Sequence, residues 1–372
     1  MQRFAFLLFF ILPFACLGQY TITGKIINGN DKTPVANASV FFNNAVAGSK
    51  TDDKGGYTIT NVRPGQYDFV VTCLGYETLH QAVTINGDLK LADISLTPKV
   101  MMLQEVKIKP KTDWLKNYEF FTEHFFGTSA YAQSCKITTK GLPDLLDLDF
   151  DKKTQLFTAK SFDFFEIENK ALGYKIKYML IDFTFNRKDG SFYFEGNSSF
   201  EEMKGSKSQM KRWKANRLSA YQGSSMHFLR SVIGNTFANE GFKVMRLIRK
   251  PNPEYTGIGP KYIQTLVNKP LEAPDFVKLT NVKGTNALNF SDCLYVLYNK
   301  RRAYSGNQAT NTTTQTPEFL DDPLATTLIF NEEYALFDAN GIFANPQSVS
   351  TDGNWGHRLT AELLPVDYVS EQ

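Results

Sequence analysis

Histidine and cysteine are both scarce, with four of each among 372 residues. Three residues beyond His80, His124, His227 and His357 stand Val83, Gly127, Arg230 and Thr360, none of them a carboxylate. The spacings by which zinc peptidases hold their metal, His-x-x-Glu and His-Glu-x-x-His, are therefore missing. Gly-x-Ser-x-Gly, Gly-x-x-x-x-Gly-Lys and Gly-x-Gly-x-x-Gly are missing too, so no motif announces a nucleophile elbow, a phosphate loop or a dinucleotide site. Excess charge is absent: 41 basic against 38 acidic residues give a net +3, too little to point to nucleic acid or an anionic membrane surface. Nothing in the chain implies a cofactor or a bound metal. After Cys16, only Cys73, Cys135 and Cys293 remain, an odd and sparse set that is no disulfide framework. A Cys135–Cys293 bridge and buried free thiols are both open readings.

Long apolar runs are confined to the beginning. Arg3, the apolar stretch Phe4 to Phe14, and small residues Cys16 and Gly18 ahead of Gln19 have the pattern of a secretory signal peptide over residues 1–18. The run falls short of the roughly 20 residues a permanent span needs. An alternative makes Cys16 the acylated cysteine of a lipoprotein, although Pro13 then stands where leucine is expected. Either way the protein is expected to be exported, to the periplasm or the outer-membrane face. The 42% hydrophobic and 14% aromatic content is enough for substantial cores, and the length favours two domains.

Residues 19–98 alternate apolar and polar over short segments divided by turn residues. Strands are expected at Tyr20–Ile27, Ala38–Val46, Tyr57–Thr60, Tyr67–Leu74, Thr78–Ile85 and Leu89–Leu96, with Asn86-Gly87 as a hairpin signal between the last two. About seven short strands in this span predict an antiparallel sandwich. The run GKIINGNDKTPVANASVFFNN and its continuation TDDKGGYTITNVRPGQYDFVVTCLGYE resemble the carboxypeptidase regulatory-like domain, a transthyretin-like β-sandwich. The resemblance implies no catalytic residue within the sandwich, and it implies company with envelope proteins of the Bacteroidota type. Leu103-Gln104-Glu105-Val106 is similar to the linker that follows this domain in outer-membrane receptors. A receptor barrel of about 22 strands would need several hundred further residues, so the barrel itself is not expected.

Residues 99–112 read as a lysine-rich linker and 113–372 as an α+β domain with an antiparallel sheet and a helical hairpin. Asp113 is placed to cap a helix whose Trp114, Tyr118, Phe121 and Phe125 form an aromatic stripe, ended by Gly127. A three-strand meander is expected over Gln155–Phe165, Tyr174–Asn186 and Ser191–Phe200. Helices follow at Lys207–Tyr221 and from Ser225, with Met226, Leu229 and Ile233 inward. Later strands are expected at Phe242–Ile248, Phe276–Leu279, Leu294–Tyr298, Thr327–Phe330 and Ala335–Asp338, and residues 301–323 read as a polar surface loop. Several of these stretches, among them Glu168–Tyr174 and Gly353–His357, resemble the C-terminal part of uncharacterised Bacteroidota envelope proteins that carry the sandwich.

The candidate ligand or partner site is the group Trp213, Arg217, Tyr221, His227 and Arg230, with Trp355 as a possible aromatic platform. Arginine grips carboxylate or phosphate through a bidentate fork, and histidine moves protons near neutral pH. The rival reading is a helix hairpin whose Arg and Tyr satisfy buried backbone carbonyls. Asp144, Asp147, Asp149 and Asp151 are spaced like calcium-loop acids but lack the central Gly and terminal Glu, which favours a solvated loop. The expected function is non-enzymatic binding or scaffolding, with an envelope protein as partner or a glycan or peptide as ligand. A hydrolase centred on His227 and a carbohydrate-binding module are the alternatives.

Overall fold

The computed structural model describes residues 19–99, 111–282, 284–300 and 322–370. The expected export segment 1–18 with Cys16, the expected linker with Leu103–Val106, and most of the polar stretch 301–323 lie outside these residues.

Eight strands build the first unit: β1 (Tyr20–Asn28), β2 (Ser39–Phe42), β3 (Gly48–Lys50), β4 (Gly56–Val62), β5 (Gly65–Thr72), β6 (Leu79–Ile85), β7 (Leu89–Lys90) and β8 (Ile94–Leu96). They form two sheets, β4-β1-β7 with β8 also on β1, and β3-β2-β5-β6. Ile22, Ile26, Ile59, Val40, Phe42 and Phe69 meet between the sheets, each fully buried. This is the expected sandwich, with two differences. β7 and β8 pair parallel with β1, and Asn86-Gly87 is a crossing between sheets, because β6 and β7 belong to different ones. A local glycine sets φ, but it does not choose the partner strand. Asn61 takes φ +61 at an irregularity in the β1–β4 register, which turns Val62 inward.

The chain then forms α1 (Lys111–Phe126), β9 (Cys135–Ile137), α2 (Leu142–Leu145), β10 (Leu146–Asp151), β11 (Leu156–Ser161), β12 (Phe165–Asn169), β13 (Tyr174–Asn186) and β14 (Phe192–Glu202). β13 organises this sheet. One edge carries β14 along its length; the other is shared by β12, against residues 174–178, and β11, against 183–186. The expected first strand of the meander is therefore two, broken at Phe162–Phe164. Phe121 and Phe125 of α1 are fully buried on the sheet, stacked at 4.9 Å, as the aromatic stripe predicts. Asp113 lies inside the first turn and is not the cap, since the helix already includes Lys111. The acidic run is mostly strand: in β10, Leu146 and Leu148 point into the core while Asp147 and Asp149 alternate outward.

Next come α3 (Lys207–Tyr221), α4 (Ser225–Ile233), α5 (Phe237–Glu240), β15 (Phe242–Pro251), β16 (Tyr262–Pro270), α6 (Ala273–Phe276), β17 (Val277–Leu279), β18 (Thr285–Leu288), β19 (Cys293–Tyr298), β20 (Ala325–Phe330), β21 (Ala335–Asp338) and β22 (Val349–Gly353). They form the sheets β16-β15-β19-β20-β22 and β17-β18-β21, all antiparallel. Ser206 opens α3 with a capping box completed by Gln209, and Ser224, one residue earlier than expected, caps α4. In α4 the inward residues are Met226, Phe228, Leu229 and Val232, while Ile233 is exposed. All three cysteines among the described residues are free, so the Cys135–Cys293 bridge is not formed.

The sandwich docks on β14 through its β2–β3 turn. Asn44 donates its main-chain N–H to Ser198 O (2.7 Å), and Phe200 donates to Ala45 O (2.9 Å). Asn43 accepts from Ser198 N with its side-chain oxygen (2.9 Å) and donates its amide to Asn197 Oδ1 (3.1 Å). From the other side the C-terminal segment closes in: Val366 donates to Asn44 O (2.6 Å), and the Asp367 carboxylate accepts from Val46 N at 3.2 Å.

Candidate binding site

The break between α3 and α4 is set by Gly223, whose φ of +72 and position against the Tyr298 ring leave no room for a side chain. It folds the two helices so that the predicted residues come near one another, but their polar atoms face inward. Arg217, 9% exposed, donates Nε to Leu172 O (2.7 Å), Nη2 to Gly173 O (3.2 Å) and Nη1 to Glu202 Oε1 (2.6 Å). Its guanidinium also lies 3.9 Å over the Tyr174 ring. Trp213 donates its indole N–H to Lys170 O (2.9 Å), and its ring is held between Gly173 and Gly205.

Arg230 is likewise directed at main chain. Nε donates to Asn340 O, Nη1 to Tyr368 O and Nη2 to Val366 O, each at 2.8 Å. The Tyr221 ring packs 4.7 Å from the His227 ring. Both nitrogens of buried His227 are engaged. Nδ1 accepts from Gly223 N (3.0 Å), which places the proton on Nε2, and Nε2 meets Glu240 Oε2 at 2.7 Å. Thr236 in turn donates to the other Glu240 oxygen. Burial depresses the His227 pKa below its ordinary 6.5, and the opposing pull of Glu240 is the smaller effect. Trp355 is 8% exposed, packs against the Phe228 ring at 5.5 Å and donates its indole N–H to Gly223 O (2.8 Å). It cannot serve as the open platform expected of it. The carbonyl-satisfying reading thus describes the polar atoms of this group.

Two of the six, Trp213 and Arg217, do reach a cavity. A cleft of about 780 Å³ lies where the sandwich, α3 and the C-terminal segment meet. Arg63 and Val46 line it from the sandwich, Met203, Met210, Lys214 and Leu218 from α3 and the residues before it, and Pro365, Asp367, Tyr368 and Val369 from the tail. Its volume falls within the usual range for small-ligand sites, roughly 300–1,000 Å³. Arg63 is among the lining residues, while its Nη1 is closed to solvent and has no hydrogen-bond acceptor among the described residues. Asp367 carries a carboxyl raised above the ordinary carboxylate range, chiefly by burial. Arg63, Met203, Lys214 and Asp367 escaped the sequence reading. Arg63-Pro64-Gly65 shows only as a turn, and no periodicity links residue 63 to residues 210–218 and 367.

A second polar group spans the docking surface. His80 Nδ1 lies 2.9 Å from Asp68 Oδ2, and His80 Nε2 is 3.3 Å from the Asn197 amide, which places Nε2 as the acceptor. Among the described residues no three His, Cys, Asp or Glu side chains converge as a metal site, the acidic run included. Among them, too, no helix is long and apolar enough to cross a membrane.

A family model described as the CarboxypepD_reg-like domain matches residues 22–108, under a quarter of the chain. Comparison with curated proteins gives no match. Solved structures with similarity include an interface mutant of a type II cohesin–X-dockerin complex from Acetivibrio cellulolyticus, at 23% identity over 30% of this chain and 76% of that one, with a TM-score of 0.21. A DUF3823 family protein from Bacteroides ovatus is 14% identical over 50% of this chain and 83% of its own, with a TM-score of 0.18. The minor pilin GBS52 of Streptococcus agalactiae is 18% identical over 25% and 48%, with a TM-score of 0.17. At these values none of them informs the architecture or the ligands of this chain.

Proposed function

We propose that this is a non-enzymatic binding protein of the bacterial cell envelope, exported by residues 1–18, whose ligand or partner engages the cleft between the sandwich and the larger unit. The proposed division is a sandwich over 19–98, a linker over 99–112 and an α+β domain over 113–372. The observation that carries the reading is the cleft itself: three segments far apart in sequence converge on one concave surface with adaptable methionine walls. The hydrolase alternative has no open acid–base group in its nominated centre, because both His227 nitrogens are engaged within the fold. The carbohydrate platform alternative loses Trp355 to burial.

Tagged protein extracted from envelopes should carry a defined partner or ligand by crosslinking and mass spectrometry. Met210→Arg, which fills the cleft from an exposed position on α3, should remove it without lowering the thermal midpoint. Equal recovery with the variant would overturn the site. A cytosolic product with residues 1–18 intact would overturn the location.

A further inference from the structure

We infer that acid opens the joint between the sandwich and β14, with His80 as the group that takes up the proton; this does not depend on what the cleft binds. The joint has an apolar part and a polar part. Val40, Phe42, Phe69 and Val71 alternate into the sandwich core, so Phe41 and Val70 point away from it. Both are nevertheless buried, and Phe41 meets the Phe164 ring of the larger unit at 5.9 Å. Beside them runs a chain of hydrogen bonds whose direction is fixed from one end. Ser198 N, a main-chain donor, reaches Asn43 Oδ1 at 2.9 Å, which turns the Asn43 amide nitrogen the other way. That nitrogen donates its two protons to Asp68 Oδ2 (3.2 Å) and Asn197 Oδ1 (3.1 Å). Asn197, 2% exposed, then presents its own NH2 to His80 Nε2 at 3.3 Å. Nε2 accepts, so the single ring proton lies on Nδ1, 2.9 Å from Asp68 Oδ2.

A second proton on the ring sits on Nε2 and faces the Asn197 NH2, donor against donor. Turning the Asn197 amide over sets its NH2 against that of Asn43. Turning Asn43 over as well sets an NH2 against Ser198 N, which is main chain and cannot turn. No arrangement of the two amides therefore accommodates the charged ring. If the ring swings out instead, the buried Asn197 NH2 loses its acceptor, and the closed joint alone bears that loss. Asp68 does not decide between open and closed forms. It and His80 both belong to the sandwich, on the paired strands β5 and β6, and they keep each other in either form. Proton uptake thus favours the open joint, and histidine is the side chain that takes up a proton between pH 8 and 5.

The other charges on the elements packed there have partners or positions of their own. Strand β6 carries none besides His80, and β5 none besides Asp68. On β14, Glu195 accepts from the Tyr193 hydroxyl (2.8 Å), Glu201 lies opposite Lys175 and Glu202 holds Arg217. On β13, behind β14, Lys177 lies opposite Ser199 and Asp182 opposite Glu195. Asp367 of the tail accepts from Val46 N. Among the described residues Asp68 is the ion-pair partner of the ring.

The test is hydrogen exchange of the chain from Gln19 to Gln372 at pH 8.0 and 5.5, with each rate divided by the intrinsic rate at that pH. Peptides covering 43–48 and 196–201 carry the main-chain N–H groups of Asn44, Ser198 and Phe200 that bond across the joint. Their protection should fall roughly tenfold on acidification, the scale of one buried hydrogen bond lost, while peptides from α1 hold theirs. His80→Gln, whose amide oxygen accepts from Asn197 and takes up no proton, should keep the protection seen at pH 8.0 and lose the fall. Asn197→Asp puts an acceptor where the donor stood, so it should invert the trend and protect the joint better at pH 5.5 than at 8.0. Unchanged wild-type protection would overturn the inference, as would a fall that survives in His80→Gln or one in Asn197→Asp equal to that of the wild type. Should Asn197→Asp not fold, the comparison of wild type with His80→Gln decides alone.

Discussion

Replacing Arg230 by methionine separates a structural clamp from a ligand contact. The side chain keeps much of its apolar stem but loses the guanidinium and with it three donors to Asn340 O, Val366 O and Tyr368 O, all at 2.8 Å. A hydrogen bond to a charged group contributes about 1.5–3 kcal/mol when its partner is left buried and unpaired. Water reaches part of this site, so about 1 kcal/mol per bond is the better figure, or about 3 kcal/mol in total. At about 2 °C per kcal/mol for a large domain, the thermal midpoint should fall by roughly 6 °C.

The local signature is sharper. Arg230 holds the segment that ties the sandwich down, through Val366 N to Asn44 O and Val46 N to Asp367. Hydrogen exchange in peptides covering 363–370 and 43–48 should accelerate by roughly 100-fold, since about 1.4 kcal/mol corresponds to a factor of ten. Peptides from α1 should not change. Arg230→Lys should recover less than half of the loss, because one ammonium cannot reach three carbonyls in a fork. Unchanged exchange at both segments with an unchanged midpoint would refute the clamp. So would a fully stable variant that has lost its ligand, which would return Arg230 to the binding surface.

Gly173→Ala should lower unfolding free energy by about 2–4 kcal/mol in urea titration, because φ is +72 and the new Cβ would stand 2.2 Å from the Trp213 ring; a loss under about 0.5 kcal/mol would show that the ring yields. For His227 the folded value lies below 6.5, so the unfolded chain takes up the proton first: its stabilising contribution is complete above about pH 6.5 and declines as pH falls through the folded value. Urea midpoints should therefore drop between pH 7.5 and 5.5, and His227→Gln should flatten that drop; a steeper drop in the variant would refute the assignment. Cys135, whose thiol burial pushes up to about 12, and Cys293, buried on β19, should resist iodoacetamide at pH 7.5 until the protein is unfolded. Rapid native labelling of either, or a Cys135–Cys293 disulfide in the mass spectrum, would contradict the free, shielded thiols.

Local chemistry was legible in the sequence wherever a short stretch determines its own conformation. Lys207–Tyr221 is a helix with the expected bounds, Ala335–Asp338 is a strand, and Gly127 at φ +84 stops α1. The errors fall where a distant partner decides. Phe165–Asn169 separates from Leu156–Ser161 only because β13 is long enough to hold both on one edge. Tyr262–Pro270 was missed because it is an edge strand whose exposed residues carry no alternation, and its partner β15 defines it. The site group shows the same division. Helical spacing puts Met210, Trp213, Arg217 and Tyr221 on one face, and the last three are buried while Met210 is exposed, but the sequence could not show that carbonyls of residues 172, 173, 340, 366 and 368 would already occupy the arginines.

On the proposed reading, that occupation leaves the cleft, and not the conspicuous Arg–His group, for recognition. The sandwich meets β14 largely through polar pairs, since Asn43, Asn44, Asn197 and Ser198 exchange side-chain and main-chain hydrogen bonds there, with Phe41 against Phe164 as an aromatic contact at 5.9 Å. Such pairs specify one orientation, because a buried amide displaced by even an ångström loses its partner and bears the penalty of desolvation. An orientation fixed in this way holds Arg63, on one side of the junction, at a constant distance from Met210 and Trp213 on the other. Asn44, at φ +57, receives both β14 and the tail on its main chain, so it is the residue through which that distance is set. A chain that needed the sandwich only as a spacer would gain nothing from so constrained a joint. A chain that uses the gap beside it as a binding surface requires one.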